Sequence, residues 1–202
     1  MITKKDVDFS LQALKAGDRA EFARLVESHY QMIYRLAIKM LGNAQDAEDV
    51  LQETFYKALR GIQQFDGRSS LSTWLYRIAT NEALMALRRR KPDTISTDES
   101  LETEEGEGEP LQIVDWCCLP ERELMSTEAQ RYLDEAIGKL SSGLRAVFVL
   151  RDIEDLSTQE TGEVLNLSET AVKTRLSRAR LRLREELSGY FGEKLAEGKR
   201  VE

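Results

Sequence analysis

Three groups of side chains in this 202-residue sequence have types and spacings suited to recognition chemistry. The first lies near the C-terminus, where Lys173, Arg175, Arg178, Arg180, Arg182 and Arg184 occur with no acid among them. Turned at about 100° per residue, Val172, Leu176, Ala179 and Leu183 fall in one apolar arc. Thr170, Lys173, Thr174, Ser177 and Arg178 lie broadly opposite, where they can reach base edges in a major groove. Arg175, Arg180, Arg182 and Arg184 fall toward the flanks or further along, a better place for phosphates. The second group is an acidic stripe, Asp49 and Glu53 with Gln52 beside them, which spacing alone reads as a solvated face or a docking face. The third is the loop Phe65, Asp66, Gly67, Arg68, Ser69 and Ser70, followed by Trp74, Tyr76, Arg77 and Asn81. Aromatics, cations and an amide in such company suit unstacked single-stranded bases. Trp74 also completes a core arc with Leu75 and Ile78, whereas Asn81 falls near the exposed side.

Little else in the sequence points to chemistry. The one histidine, His29, shares helical spacing with Phe22, Val26 and Ile33 and reads as a core or boundary residue. There is no Gly-rich phosphate loop, no Gly-x-Ser-x-Gly elbow and no His-Glu-x-x-His pair. Cys117 and Cys118 are adjacent, which suits neither a zinc site nor a redox Cys-x-x-Cys. The expectation is a protein that is no enzyme, with no metal and no cofactor.

The elements that must position these groups read as helices. The chain has three Pro and twelve Gly, is 41% hydrophobic and 32% charged, and carries a net charge of -7, which together favour an all-α fold. Its longest clean apolar run is Ala146 to Leu150, far short of the roughly 20 residues of a membrane span. The first ten residues hold two lysines but no apolar segment behind them, so a reducing, cytoplasmic setting is expected. Residues 1–92 carry fifteen basic and eleven acidic side chains, residues 93–120 none and nine, and residues 121–202 fourteen and sixteen. The acidity is therefore concentrated in a middle stretch that reads as a solvated linker between two small helical domains, each large enough for its own core.

Periodicity places helices at about Lys5 to Ala16, Arg19 to Leu41, Ala44 to Phe65 and Leu71 to Lys91 before the linker. Tyr30 belongs to the expected buried stripe of the second, and Leu59 to that of the third. After the linker come about Glu121 to Leu140, Ser142 to Ile153, Thr158 to Leu165 and Glu169 to Leu187. Ser157 with Glu160 has capping-box spacing, Asn166 tolerates a left-handed stop, and Ser168 can cap the next helix. With small Gly162 at the close approach, the last pair reads as a helix-turn-helix.

At this point the sequence resembles a known family. Residues Asp46 to Phe55 (DAEDVLQETF), Ser72 to Asn81 (STWLYRIATN) and Arg88 to Lys91 (RRRK) are similar to region two of bacterial sigma-70-family factors of the extracytoplasmic-function (ECF) group. Residues Val147 to Ser157 (VFVLRDIEDLS) and Thr170 to Arg180 (TAVKTRLSRAR) are similar to region four. Gly162 stands where such factors usually have Ala, and the middle stretch is longer and more acidic than many of their linkers.

The resemblance implies a two-domain initiation factor that binds core RNA polymerase and confers promoter recognition. Asp49, Gln52 and Glu53 would dock on the polymerase clamp. Lys57, Phe65, Asp66, Gly67, Arg68, Ser69, Ser70 and Asn81, with Arg88 and Arg89, would serve the single-stranded non-template -10 element. Thr170, Lys173, Thr174, Arg175, Ser177 and Arg178 would read the duplex -35 element. An anti-sigma partner, and association with the nucleoid when bound to polymerase, are expected on the same ground. Two rivals from other classes remain at this stage: a helix-turn-helix regulator whose first half binds a ligand or dimerises, and an adaptor whose basic helix meets an acidic protein. The nine acids of the middle stretch are expected to mimic nucleic acid or mask the basic surfaces, so their replacement by Ser or Gln should raise DNA binding by the isolated chain.

Overall fold

The computed structural model describes residues 9–90 and 127–198. Each helix begins and ends on short-range chemistry. Ser10 accepts the Ala13 N–H and opens α1 (Leu11–Ala16), which stops at Gly17 with φ 81°. The sequence expectation of a start at Lys5 is corrected, because Ser10 takes the extended conformation of a cap. Asp18 accepts the Ala20 and Glu21 N–H groups at the head of α2 (Arg19–Leu41), and Gly42 with φ 66° ends it. Asn43 caps α3 (Ala44–Gly61). A 3-10 turn, Ile62–Gln64, follows where α-helix was expected to continue to Phe65. The Phe65 N–H bonds to the Ile62 carbonyl at 3.2 Å, closing the tighter turn. Ser70 Oγ accepts the Thr73 N–H and starts α4 (Leu71–Arg90).

The second half holds α5 (Thr127–Lys139) and α6 (Ser142–Phe148). The expected helix to Ile153 instead relaxes into a π-helical turn, Val149–Ile153, with the Glu154 N–H bonded to the Val149 carbonyl. Then come α7 (Thr158–Leu165) and α8 (Glu169–Gly198), the latter running beyond its expected end at Leu187. No strand occurs among the described residues. The fold is all-α.

Helices α2, α3 and α4 pack on one another, and α5, α6 and α7 pack on α8. The two sets also meet, α4 against α7 and α2 against α5 and the π-helical turn. Their buried residues form one hydrophobic cluster from Leu14 to Leu187, beside a smaller one of Val147, Val172 and Leu176. The expectation of separate cores is thereby corrected. Its physical cause lies in α2 and α4, which bury more than one stripe: Leu36, Leu41 and Tyr76 are covered although they lie outside the expected arcs. Two residues placed inside by periodicity go the other way, since Tyr30 and Leu59 are exposed, Leu59 by 50%. The acidic stretch 93–120, with Cys117 and Cys118, lies outside the described residues.

Candidate nucleic-acid interface

The helix-turn-helix is assembled by its own side chains. Ser157 Oγ accepts the Glu160 N–H at 3.1 Å, and Glu160 Oε2 accepts the Ser157 N–H at 2.8 Å, completing the capping box. Asn166 takes the left-handed conformation, φ 54°, and Ser168 Oγ accepts the Ala171 N–H at 3.2 Å. A Cβ on Gly162 would sit 2.7 Å from the Leu167 carbonyl oxygen, so the absence of a side chain is what allows the turn to close this tightly.

That turn aims α8 outward. Val172, Leu176, Ala179 and Leu183 are buried, while Thr170, Lys173, Thr174, Ser177 and Arg178 are exposed and Arg175 is half-buried. Arg180 is engaged differently from the sequence expectation. Its guanidinium donates to both carboxylate oxygens of Asp152 at 2.8 and 2.7 Å, bonds that raise its pKa. This clamp braces α8 on the π-helical turn and leaves Arg182 and Arg184 as the exposed cations further along.

In the first half, Asp49 and Gln52 are exposed on α3 and Glu53 is half-buried. Asp49 and Glu53, but not Gln52, edge a groove of about 680 Å³ between α3 and α4 that also holds Lys57, Glu82, Met85 and Arg89. Lys57 is not a free cation: its Nζ lies 2.6 Å from Glu82 Oε1 and 3.4 Å from Glu53 Oε1. The hydrogen bond to Glu82 raises its pKa. Arg90 is likewise turned back, paired with Asp46 and donating to the Leu41 carbonyl, whereas Arg88 and Arg89 are exposed.

The loop before α4 is a built turn. Asp66 accepts the Arg68 N–H at 3.1 Å and pairs with its Nε at 2.9 Å around Gly67, whose φ is 75°. Asp66, Gly67, Arg68 and Ser70 are exposed, Ser69 is half-buried, and Asn81 is exposed one face along α4. Two aromatics singled out by the sequence are elsewhere. Phe65 is only 6% exposed and packs on Trp74, ring centroids 5.2 Å apart, so it supports the loop from beneath. Tyr76 is buried, and its hydroxyl donates to Glu154 at 2.7 Å. His29 is buried as expected, its ring bridging the Leu25 carbonyl and Ser72 Oγ.

Sequence reasoning passed over Arg35 and Glu154. Arg35 Nε and Nη2 each donate to a Glu154 oxygen at 2.6 Å, raising the guanidinium pKa. The partners are 119 positions apart, so no periodicity connects them.

An all-α chain presenting an exposed basic helix after a capped turn, a structured loop and an acidic groove edge falls in the class of helix-turn-helix proteins. Family comparison narrows it: the Sigma-70 region 2 model matches residues 25–92 and the Sigma-70, region 4 model matches residues 130–183. The chain is 41% identical to the ECF RNA polymerase sigma factor SigW of Bacillus subtilis, over 88% of this chain and 94% of that one. It is 34% identical to the RNA polymerase sigma-H factor of Pseudomonas aeruginosa, over 89% and 93%. Among solved structures it is similar to CnrH in complex with the cytosolic domain of CnrY, with a TM-score of 0.64 and 26% identity over 89% of this chain and 95% of that one. The sigma factor RpoE, in complex with the anti-sigma factor NepR from Bartonella quintana, shares the fold at a TM-score of 0.59 and 22% identity, over 83% and 97%. The chain belongs to the sigma-70 family, in its ECF group of RNA polymerase sigma factors.

Proposed function

We propose that this sigma factor binds core RNA polymerase through the α3 edge at Asp49, Gln52 and Glu53, and directs initiation by reading two promoter elements with two domains. Residues 1–92 form the domain for polymerase docking and the -10 element, residues 93–120 the acidic linker, and residues 121–202 the domain for the -35 element. The observation that carries the reading is the orientation of α8: its apolar arc is buried and Thr170, Lys173, Thr174, Ser177 and Arg178 are exposed together, the arrangement a major-groove reader requires. Arg175 and Arg182 contact the flanking phosphates.

At the -10 element, Asp66 to Ser70 and Asn81 receive unstacked bases, and Arg88 and Arg89 hold the backbone beside them. Phe65 acts from below by fixing the loop, and Lys57 reaches DNA only by leaving Glu82. Bases that leave the stack need a pocket, while an intact duplex needs a helix, which gives each half its own task. Nucleotide addition belongs to the polymerase, so the chain needs no catalytic group, and it works in the cytoplasm on the nucleoid. The solved complex of a relative with an anti-sigma factor supports an anti-sigma partner here.

The test is transcription from a randomised promoter library by core polymerase with and without the purified chain. Enrichment of two conserved sequence blocks only when the chain is present is the expected result. Tight duplex binding with neither polymerase association nor permanganate-reactive open DNA would overturn it in favour of an ordinary helix-turn-helix regulator.

A further inference from the structure

The two promoter elements are centred about 25 base pairs apart, roughly 85 Å along B-DNA at 3.4 Å per pair. A compact chain of this length is only about 40 Å across. The arrangement in which α7 lies on α4 and α5 on α2 therefore cannot serve both elements at once. Beside the apolar cluster that the two halves share, a polar lock is set in the seam. The Glu154 carboxylate is 0% exposed and is met from the other half by Arg35, through two bonds of 2.6 Å, and by the Tyr76 hydroxyl at 2.7 Å. Around it, Arg145 donates to the Met40 carbonyl at 2.6 Å and Lys39 pairs with Asp134, both across the same seam.

We infer that Glu154, gripped by Arg35 and Tyr76, is an intramolecular latch that keeps the free factor closed and restrains its use of a two-element promoter. A bidentate guanidinium–carboxylate pair is directional, so the latch sets the register of the seam as well as adding to its strength. The recognition face of α8 stays exposed in the closed form. Closure thus limits the distance between the two readers rather than covering the C-terminal one.

The inhibitory consequence rests on the reading that both halves engage one promoter, whereas the latch itself does not. The experiment uses the full chain with Cys117→Ser and Cys118→Ser, carrying fluorophores at Gln31→Cys and Glu185→Cys, both exposed sites on opposite halves. Parent, Glu154→Ala, Arg35→Glu and the exchanged pair Arg35→Glu/Glu154→Arg are compared by energy transfer and by circular dichroism. The parent should show one short-distance population. Each single variant should move to longer distances with helicity retained, and the exchanged pair should regain the short distance. In transcription with core polymerase, the single variants should reach half-maximal output at roughly three- to tenfold lower factor concentration, with the maximum unchanged.

Unchanged distances in both single variants overturn the latch, as does loss of helicity that the exchanged pair fails to restore. Opened distances with an unchanged half-maximal concentration overturn the restraint. A parent that never joins core polymerase overturns the sigma reading and the restraint with it, while the distance data still decide the latch.

Discussion

Individual cations on α8 divide by what surrounds them. Arg178 is exposed on the face opposite the buried arc, whereas Arg182 stands further along the helix. Arg178→Ala is expected to cost about 1–3 kcal/mol of binding and relax preference at one base pair, while Arg182→Ala should weaken all sequences alike and lower the salt slope by about one. Electrophoretic mobility shifts on a mutated -35 panel at several salt concentrations separate the two. Across the molecule, Tyr76 shows a different use of a polar group, one buried hydroxyl bonded to a carboxylate. Tyr76→Phe removes a bond to a charged acceptor and should cost about 1.5–3 kcal/mol, read as a lower unfolding midpoint in urea.

At the level of elements, the caps and turns decide where α7 and α8 point. Ser157→Ala breaks the capping box and should destabilise the chain by about 1 kcal/mol, lowering Tm measured by circular dichroism. Asp155 sits between the π-helical turn and that cap with φ 56°, a left-handed conformation that strains a residue with a Cβ. Asp155→Gly should therefore raise stability by about 0.5–1 kcal/mol and move Tm upward. An unchanged or lower Tm would show that the aspartate side chain offsets its own strain. Both substitutions leave the exposed face of α8 intact, so any large change in DNA preference would contradict its assignment as the reader.

For the whole molecule, the question is how far the halves can part. Thirty-six residues lie between the two described segments, and a stretch of that length extends at most about 120 Å, enough for a separation of roughly 85 Å. The closed form should also carry a pH signature. Burial, and next the charge of Glu154, push the Tyr76 hydroxyl upward from its ordinary value. A raised pKa in the folded state means stability that is fully present below about pH 10, where the unfolded phenol is protonated, and that declines as pH rises above it. Energy transfer between labelled halves should thus hold steady from neutral pH to about 9 and fall beyond 10 in the parent. Tyr76→Phe should lose that Tyr76-linked step.

Local patterns in the chain were enough to place the bounds of α2, the capping box at Ser157, the left-handed stop at Asn166 and the split of α8 into buried and exposed faces. All of these depend on interactions within a few residues, where side-chain type and helical period act directly. The family motifs likewise sit on contiguous runs. What packing alone settled are the outcomes that need a second surface: Phe65 turned under its loop, Lys57 held by Glu82, Leu59 left in solvent, and Arg35 and Tyr76 closed on Glu154. Burial and charge pairing depend on which helix arrives opposite, and that neighbour is brought by chain segments dozens of positions away, beyond the reach of any period in the sequence.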